Sequence, residues 1–415
     1  MTEVQRRAVR GTAMVVGMVL ATALTGCQNF FVCSKASCTN NGGGSGGSTI
    51  NFAYVGNNVS DSTNINGYTL GKTTLAATTG SPYGVTNIPS ALVVSHANGF
   101  LYMASAVTSS SLQAGIFGFT IGTGGALARL NNGTDFVALP LGSLGVAAMD
   151  VSADGQWLIV ASKYDSINGA TIQAYSLNAT TGAVTVPSSA PVATSYGSGV
   201  GAPVVPVVSA VKIAPSGQYI SVALGTGGVI TFPFNATTGV ISKGSIVPFT
   251  PNGTAGGYDV AIDSNNLLYV AATGGIFVFQ VDLTSTTPTV TPLSGTGIAT
   301  GPTGPWSIAL DGTSYVYAGA TSSAGANLIY AFSNSSGALT AISSVPTIAA
   351  PATTTKIAVD STGAYLMADG FDTTAGLKLY SITAATGVLT SLDTAPTGVA
   401  TGANVNAPVA LALTH

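Results

Sequence analysis

From residue 51 onward, short apolar runs and polar turns alternate in a fixed order. One run opens on an aromatic or large apolar residue and ends on small ones. It reads Phe52-Ala53-Tyr54-Val55-Gly56, Phe100-Leu101-Tyr102-Met103-Ala104 and Trp157-Leu158-Ile159-Val160-Ala161. It returns at Tyr219, Leu267, Tyr315 and Tyr365, which makes seven copies. Short runs of aromatic and β-branched residues between Gly, Asn and Asp turns predict strands. A second strand follows each copy, starting at Ile65, Ile116, Ile172, Val229, Ile276, Leu328 and Leu377. Three positions on it carries Tyr68, Phe119, Tyr175, Phe232, Phe279 and Tyr380. The strand starting at Leu328 is one residue out of step, with Ala331 there and Phe332 beside it. Turns such as Thr181-Gly182, Thr238-Gly239, Ser336-Gly337 and Thr386-Gly387 come next, where Gly supplies a positive φ. A short strand follows, as at Val388-Leu389-Thr390; the copy around Leu283 has Thr287-Pro288 instead of the Gly turn. Before six of the copies lies a third strand type, poor in charge, such as Val260-Ala261-Ile262, Ile308-Ala309-Leu310 and Ile357-Ala358-Val359. The copy at Phe52 has none, and the chain end, Pro408 to Leu413, is an orphan of that type.

Such self-similarity predicts a repeat architecture. Four-stranded antiparallel sheets set radially leave few exposed edges. The prediction is all-β: a seven-bladed β-propeller over residues 51–415, with about 52 residues per blade. Residues 407–414 would close the ring beside the strand at Phe52, as inner strand of the blade begun by residues 51–80. A solenoid is the alternative, but it would need capping repeats and leave the terminal strand unpaired. The order of inner strand, polar Gly turn, aromatic-led strand and Thr-Gly-Val/Leu turn resembles the lactonase-family propellers, relatives of the Tyr-Val-Thr-Asn surface repeats. The resemblance implies two kinds of activity. The family includes hydrolases of 6-phosphogluconolactone, which are carboxylic ester hydrolases, and the fold also hosts pure binding proteins.

Composition narrows this. Only 6% of residues are charged and 46% are hydrophobic, with a net charge of −3. Coiled coils, basic nucleic-acid binders and acidic disordered chains are thereby excluded. The 53 glycines follow no third-residue period, so the chain is not collagen-like.

Lactonase-like propellers are expected to place His, Arg and acidic groups around the central channel. Beyond residue 10 this chain has no Glu, a single Arg (Arg129) and two His (His96 and His415). Seven lysines are spread over its length, whereas a sugar phosphate would want several cations together. His96 sits beside the Asn98-Gly99 turn. No nucleophile elbow, P-loop, metal cluster or cofactor motif is present. Two charges break the inner-strand repeat: Asp150 and Lys212 stand where others have Ala261, Ala309 and Ala358. They read either as a structural pair between neighbouring blades or as a polar spot that contacts a ligand in the channel. Asp259, two positions earlier in its strand, could join them. Asp263, Asp311 and Asp360 read as turn residues that bond their own backbone. Asp150, Lys212, Asp259, His96 and Arg129 are the catalytic candidates. Low charge with many Thr, Ser, Asn and Tyr suits a binding or scaffolding module for a neutral ligand, a glycan or a protein surface, with lactone hydrolysis as the alternative, and a monomer is expected.

The first residues read as an address. Arg6, Arg7 and Arg10 precede an apolar stretch, Thr12 to Leu24, of signal-peptide length. Leu24-Thr25-Gly26-Cys27 resembles a bacterial lipobox, which implies cleavage of residues 1–26 and lipidation of Cys27. Residues 27–50 then form a tether, ending in a Gly/Ser-rich linker. Cys33 and Cys38 outside the cytoplasm suit a local disulfide, or two free thiols. Loss of Arg6, Arg7, Arg10 and Glu3 takes the net charge from −3 to −5, so neither nucleic acid nor anionic lipid should attract the body. The membrane is met through the lipid alone. Gln28 after the cysteine, in place of an Asp, favours the outer membrane or periplasmic face of the envelope.

Overall fold

The computed structural model describes residues 51–392 and 410–414, less 60–61, 72–74, 106–113, 134–135, 140–144, 163–170, 187–191, 194–207, 226, 243, 247–255, 285–287, 294–296, 299, 301–303, 322–324, 344–345, 352–353 and 371–375. The expected signal peptide, Cys27, Cys33, Cys38, the tether and His415 lie outside the described residues.

Seven antiparallel sheets follow one another, and we letter their strands a to d from the channel outward. Blade 2 is Pro89–Val94, Phe100–Ser105, Gly115–Ile121 and Leu127–Arg129; blade 3 is Val146–Val151, Trp157–Ser162, Thr171–Leu177 and Val184–Thr185. Blade 4 is Ala210–Ile213, Tyr219–Ala223, Val229–Asn235 and Val240–Ile241; blade 5 is Gly257–Ile262, Leu267–Ala272, Gly275–Asp282 and Thr289–Pro292. Blade 6 is Pro305–Asp311, Tyr315–Thr321, Asn327–Ser335 and Ala338–Ala341; blade 7 is Thr354–Val359, Tyr365–Gly370, Leu377–Ile382 and Leu389–Ser391. Blade 1 joins both chain ends: Ala410–Leu413 is strand a, and Asn51–Val59, Ser62–Leu70 and Leu75–Ala77 are b to d. In several blades the outer strand is interrupted. In blade 1, Leu75–Ala77 pairs one end of strand c and Tyr83–Gly84 the other.

The ring closes as the sequence predicts. Ala53 pairs with Leu413, Tyr54 with Ala412, Val55 with Leu411 and Gly56 with Ala410. Thr414 N donates to Phe52 O at 2.9 Å, and Phe52 N donates to Thr414 Oγ1 at 2.8 Å. Strand Ala410–Leu413 packs between Thr354–Val359 and Pro89–Val94, completing the circle of inner strands.

Blades are covered on both faces, which is why strand b reads as a continuous apolar run rather than an alternating one. The buried side chains form seven clusters, and each spans two neighbouring blades. The cluster of Met367, Leu377 and Leu379 with Ala53, Val55, Leu411 and Leu413 is the seam between the last blade and the first. No blade owns a core, so none is expected to be stable alone.

The aromatic residue that opens strand b and the glycine of the outer turn serve one contact. A Cβ on Gly125 would lie 2.4 Å from Phe52, on Gly182 2.4 Å from Phe100, and on Gly239 2.2 Å from Trp157. Each aromatic ring thus lies against the turn of the next blade, where only glycine leaves room. Tyr54, Tyr102 and Tyr317 add hydroxyl bonds to the carbonyls of Gly125, Gly182 and Gly387.

One reading of the repeat is corrected. Phe332 pairs with Val316 as Phe279 pairs with Leu268, and Ile329 pairs with Gly319 as Ile276 pairs with Ala271. Blade 6 is in step; its strand c starts earlier, at Asn327, so Leu328 is not the equivalent of Ile276.

Candidate ligand channel

The seven inner strands line a cavity of 850 Å³ along the propeller axis. Each is the edge of its sheet, so every second backbone N–H and C=O faces the channel or the next blade without a ladder partner. Small apolar side chains cover most of this wall. Register fixes which positions are equivalent. Val93, Asp150, Lys212, Ala261, Ala309, Ala358 and Ala412 pair with the third residue of the run that opens at Phe100, Trp157, Tyr219, Leu267, Tyr315, Tyr365 and Phe52, respectively. Two residues earlier, and about 7 Å along the strand, stand Ala91, Ala148, Ala210, Asp259, Ser307, Lys356 and Ala410.

Asp150 and Lys212 therefore meet at one level. Lys212 Nζ lies 3.1 Å from Asp150 Oδ1, and Ile213 N donates to Asp150 Oδ2 at 2.8 Å. The carboxylate satisfies an orphan edge N–H of the next blade and holds a lysine at once. That carboxylate raises the Lys212 pKa against the opposing effect of desolvation, with a further contribution from the Asp259 charge. The Lys212 side chain keeps 44% of its surface exposed.

Asp259 does not bond Lys212. It lies at the earlier level and organises three blades. Its Oδ2 accepts from Ser307 Oγ at 2.9 Å and Ile308 N at 3.0 Å, both in blade 6. Its Oδ1 accepts from Val260 N at 3.0 Å. Lys356 Nζ, two blades away, reaches both oxygens at 2.8 Å. Ser307 Oγ passes the pattern on by accepting from Ile357 N at 3.1 Å. Sequence reasoning missed Lys356 because it stops short of the run Ile357-Ala358-Val359 by one residue. Its offset from Ala358 equals that of Asp259 from Ala261, and that equality was the available signal.

The other candidates separate. His96 is exposed in the turn after strand a of blade 2 and lines the cavity at that mouth; Asn98, two residues on, has a φ of 57°. Arg129 ends the outer strand of its blade, with its guanidinium over the rings of Phe117 and Phe119 and bonded to Gly133 O. It lies away from the channel. Asp263 and Asp360 are turn residues as expected. Asp263 Oδ1 accepts from Asn265 N and Leu267 N, and its Oδ2 from the Tyr269 hydroxyl. Asp360 Oδ1 accepts from Ala364 N and Tyr365 N. Asp311 lies against Gly363 of the next blade. No grouping of three or more His, Cys, Asp or Glu fit to hold a metal occurs among the described residues.

The family model for the lactonase seven-bladed β-propeller matches residues 52–405, and the chain belongs to that family. Among solved structures it is similar to a candidate 6-phosphogluconolactonase of Bacteroides fragilis, at 20% identity and a TM-score of 0.66 over 89% of this chain and 100% of that one. A second candidate 6-phosphogluconolactonase, from Bacteroides uniformis, matches at 17% identity and a TM-score of 0.65 over 88% and 99%. PpgL, the periplasmic gluconolactonase of Pseudomonas aeruginosa, matches at 15% identity and a TM-score of 0.61 over 84% and 97%. At these identities the likeness is one of fold. No curated protein sequence matches the chain.

Proposed function

We propose that the propeller is a binding module that takes a neutral ligand, a glycan or a protein segment in or over its channel. The observation that carries this reading is the commitment of Asp150 and Asp259. Each accepts a backbone N–H of the next blade and holds a lysine. Opening a lactone needs a base that activates water and donors that stabilise the oxyanion. The oxygens of both carboxylates are occupied by donors of the wall. The two ion pairs also cancel, and the other charged side chains of the lining, Asp263, Asp311 and Asp360, are acidic, so the wall has no excess positive charge with which to draw a sugar phosphate.

Lactone hydrolysis is the second reading. Family membership favours it, as does likeness to a protein named a gluconolactonase. Lys212 and Lys356 would then supply the oxyanion donors. The deciding experiment is a lactone-hydrolysis screen of the full chain, with and without divalent metal, beside Asp150→Ala/Lys212→Ala. Turnover that the folded double variant loses establishes the hydrolase and removes the binding reading.

We further propose that the propeller is held at the cell envelope by a lipid on Cys27, after cleavage of residues 1–26, with residues 27–50 as its tether. The motif Leu24-Thr25-Gly26-Cys27 supports this. Cys27→Ala should abolish lipid labelling and release the protein from membranes; a variant that stays membrane-bound refutes the anchor.

A further inference from the structure

The channel wall is unequal around its circumference in a way the two ion pairs do not account for. Five inner strands carry a register shift near their start: between Pro89 and Ala91, Val146 and Ala148, Gly257 and Asp259, Pro305 and Ser307, and Thr354 and Lys356. The residues they skip are Ser90, Ala147, Tyr258, Trp306 and Thr355. A bulge re-aims the side chain of its extra residue. In blades 2 and 3 that side chain is small. In the adjacent blades 5 and 6 it is aromatic, and Tyr258 and Trp306 both line the cavity partly exposed. Each is followed directly by a member of the polar row: Asp259 after Tyr258, Ser307 after Trp306, with Lys356 completing the row in blade 7.

We infer that blades 5 to 7 form a subsite for a neutral sugar ring, which rests on the binding reading above and gives it a ligand class. Three properties of the sector point there. Asp259 and Lys356 neutralise each other, and Asp263, Asp311 and Asp360 lie at the opposite ends of these inner strands, so no excess positive charge is present beside the aromatics to select an anion. Of the polar row Asp259 and Ser307 are buried and Lys356 is exposed, and its ammonium beside the aromatics disfavours a purely apolar guest. What remains is a guest with an apolar face and a rim of hydroxyls. A pyranose offers its C–H face to an aromatic ring and its hydroxyls to polar neighbours. Donors are in place for that rim. Lys356 Nζ gives two hydrogen bonds to Asp259, and an ammonium carries three donors. Trp306 Nε1 is buried beside Gly319 of strand b, so the indole acts through its ring rather than through its N–H.

The chain has two tryptophans, which makes the test direct. Trp157 lies at the outer junction of blades 3 and 4, bonded to Ala236 O. Phe52 and Phe100 fill its place in blades 1 and 2, so Trp157→Phe in the full chain leaves Trp306 as the sole reporter. That protein is titrated with cellopentaose, chitopentaose and mannopentaose, following Trp306 emission and its quenching by acrylamide. At least one sugar is expected to shift the emission and shield the ring, with little dependence on salt. By calorimetry, Tyr258→Ala and Trp306→Ala should each weaken that sugar about tenfold or more, while Trp306→Phe retains most of the affinity. Matched thermal melts show that the variants are folded. The subsite is overturned if Trp306 ignores all three sugars, if Trp306→Ala binds as well as the parent, or if gluconate binds instead and is lost at high salt. Glucono-δ-lactone turnover is measured in the same samples. Turnover with an unresponsive Trp306 overturns both readings, and silence of Trp306 without turnover overturns the sugar subsite alone.

Discussion

The channel wall has two halves held together by different means. Asp150 and Lys212 stitch the inner strands of blades 3 and 4, and Asp259, Ser307 and Lys356 those of blades 5 to 7. From blade 7 through blade 1 to blade 2, the same two levels carry only Ala358, Ala410, Ala412, Ala91 and Val93 after Lys356. There the ring is held by main-chain pairing of Ala410–Leu413, by Thr414 on Phe52, and by Asn51 reaching Asp360. A strand added from the far end of the chain satisfies the edge of Asn51–Val59 with backbone groups. In the other half, side chains reach across the seams of blades 3 and 4, 5 and 6, and 6 and 7, while blades 4 and 5 meet through the backbone bridge of Gly225 and Gly257. The polar residues are thus first a structural device, and any ligand chemistry uses what they leave unspent.

The largest effect should come from the half without stitches. Deleting residues 408–415 removes strand a of blade 1 and uncovers Leu377, Leu379 and Met367 on one side and Leu92 and Val94 on the other. The ring would open at its one non-contiguous blade, and denaturant unfolding should lose its single cooperative transition. A truncated chain with the midpoint and slope of the parent would show that the stitched half is sufficient to hold the ring.

Next comes Asp259→Ala. The carboxylate is 1% exposed and serves Ser307, Ile308, Val260 and Lys356. Its loss strands buried donors in two blades, and a cost of about 3 kcal/mol in chemical denaturation is expected. Asp150→Ala should cost less, about 1–2 kcal/mol, because it strands only Ile213 N in the wall and leaves a lysine that water can reach. Equal losses for the two variants would mean that the three-blade hub has no greater weight than the two-blade bridge.

Much of this division was legible beforehand. The closing strand could be read because one copy of the repeat lacked an inner strand and the chain end was an orphan of that type. Asp150 and Lys212 could be paired because both replace alanine at one register in neighbouring blades. Three things stayed hidden. The bulge before Asp259, Ser307 and Lys356 shifts the pairing of each strand start, so a pattern anchored on Ile357-Ala358-Val359 left Lys356 outside it. The packing of Phe52, Phe100 and Trp157 on Gly125, Gly182 and Gly239 was invisible because the partners are a blade apart; the glycines declared their positive φ but not their neighbours. Arg129 looked available as an isolated cation, and the fold spends it on two phenyl faces at an outer edge.

Alkaline pH probes both halves together. Burial raises the pKa of Tyr54, Tyr68, Tyr102, Tyr219, Tyr269 and Tyr317 above the ordinary value of 10.0, and that of Tyr175 to about 12. The unfolded chain then releases tyrosine protons first, so stability should fall as pH rises above 10. Tyrosinate absorbance should appear with unfolding as one transition. Stepwise titration of these phenols in a still-folded protein would contradict their role in the seams.

The smallest expected effect isolates the bridge of blades 3 and 4. Lys212→Met keeps much of the aliphatic stem against the wall and removes the ammonium. Lys212 is well over a third exposed, so solvent screening should hold the loss below about 1 kcal/mol at neutral pH. Its pH dependence has a definite sign. The folded pKa lies above the ordinary 10.5 because the Asp150 carboxylate favours the charged form. The stabilisation is therefore complete below 10.5 and disappears as pH climbs through the raised value. Parent and variant share every tyrosine, so the difference between their melting temperatures cancels the phenol ionisation just described. That difference should be constant through neutral pH, shrink above 10.5, and shrink also with added salt. Lys356→Met should not follow the same course in size, because it removes a cation that closes on both oxygens of a carboxylate almost without solvent. A larger loss for Lys356→Met than for Lys212→Met, measured under one buffer and salt, sharpens the distinction between hub and bridge; the opposite order reverses which of the two stitches carries the wall.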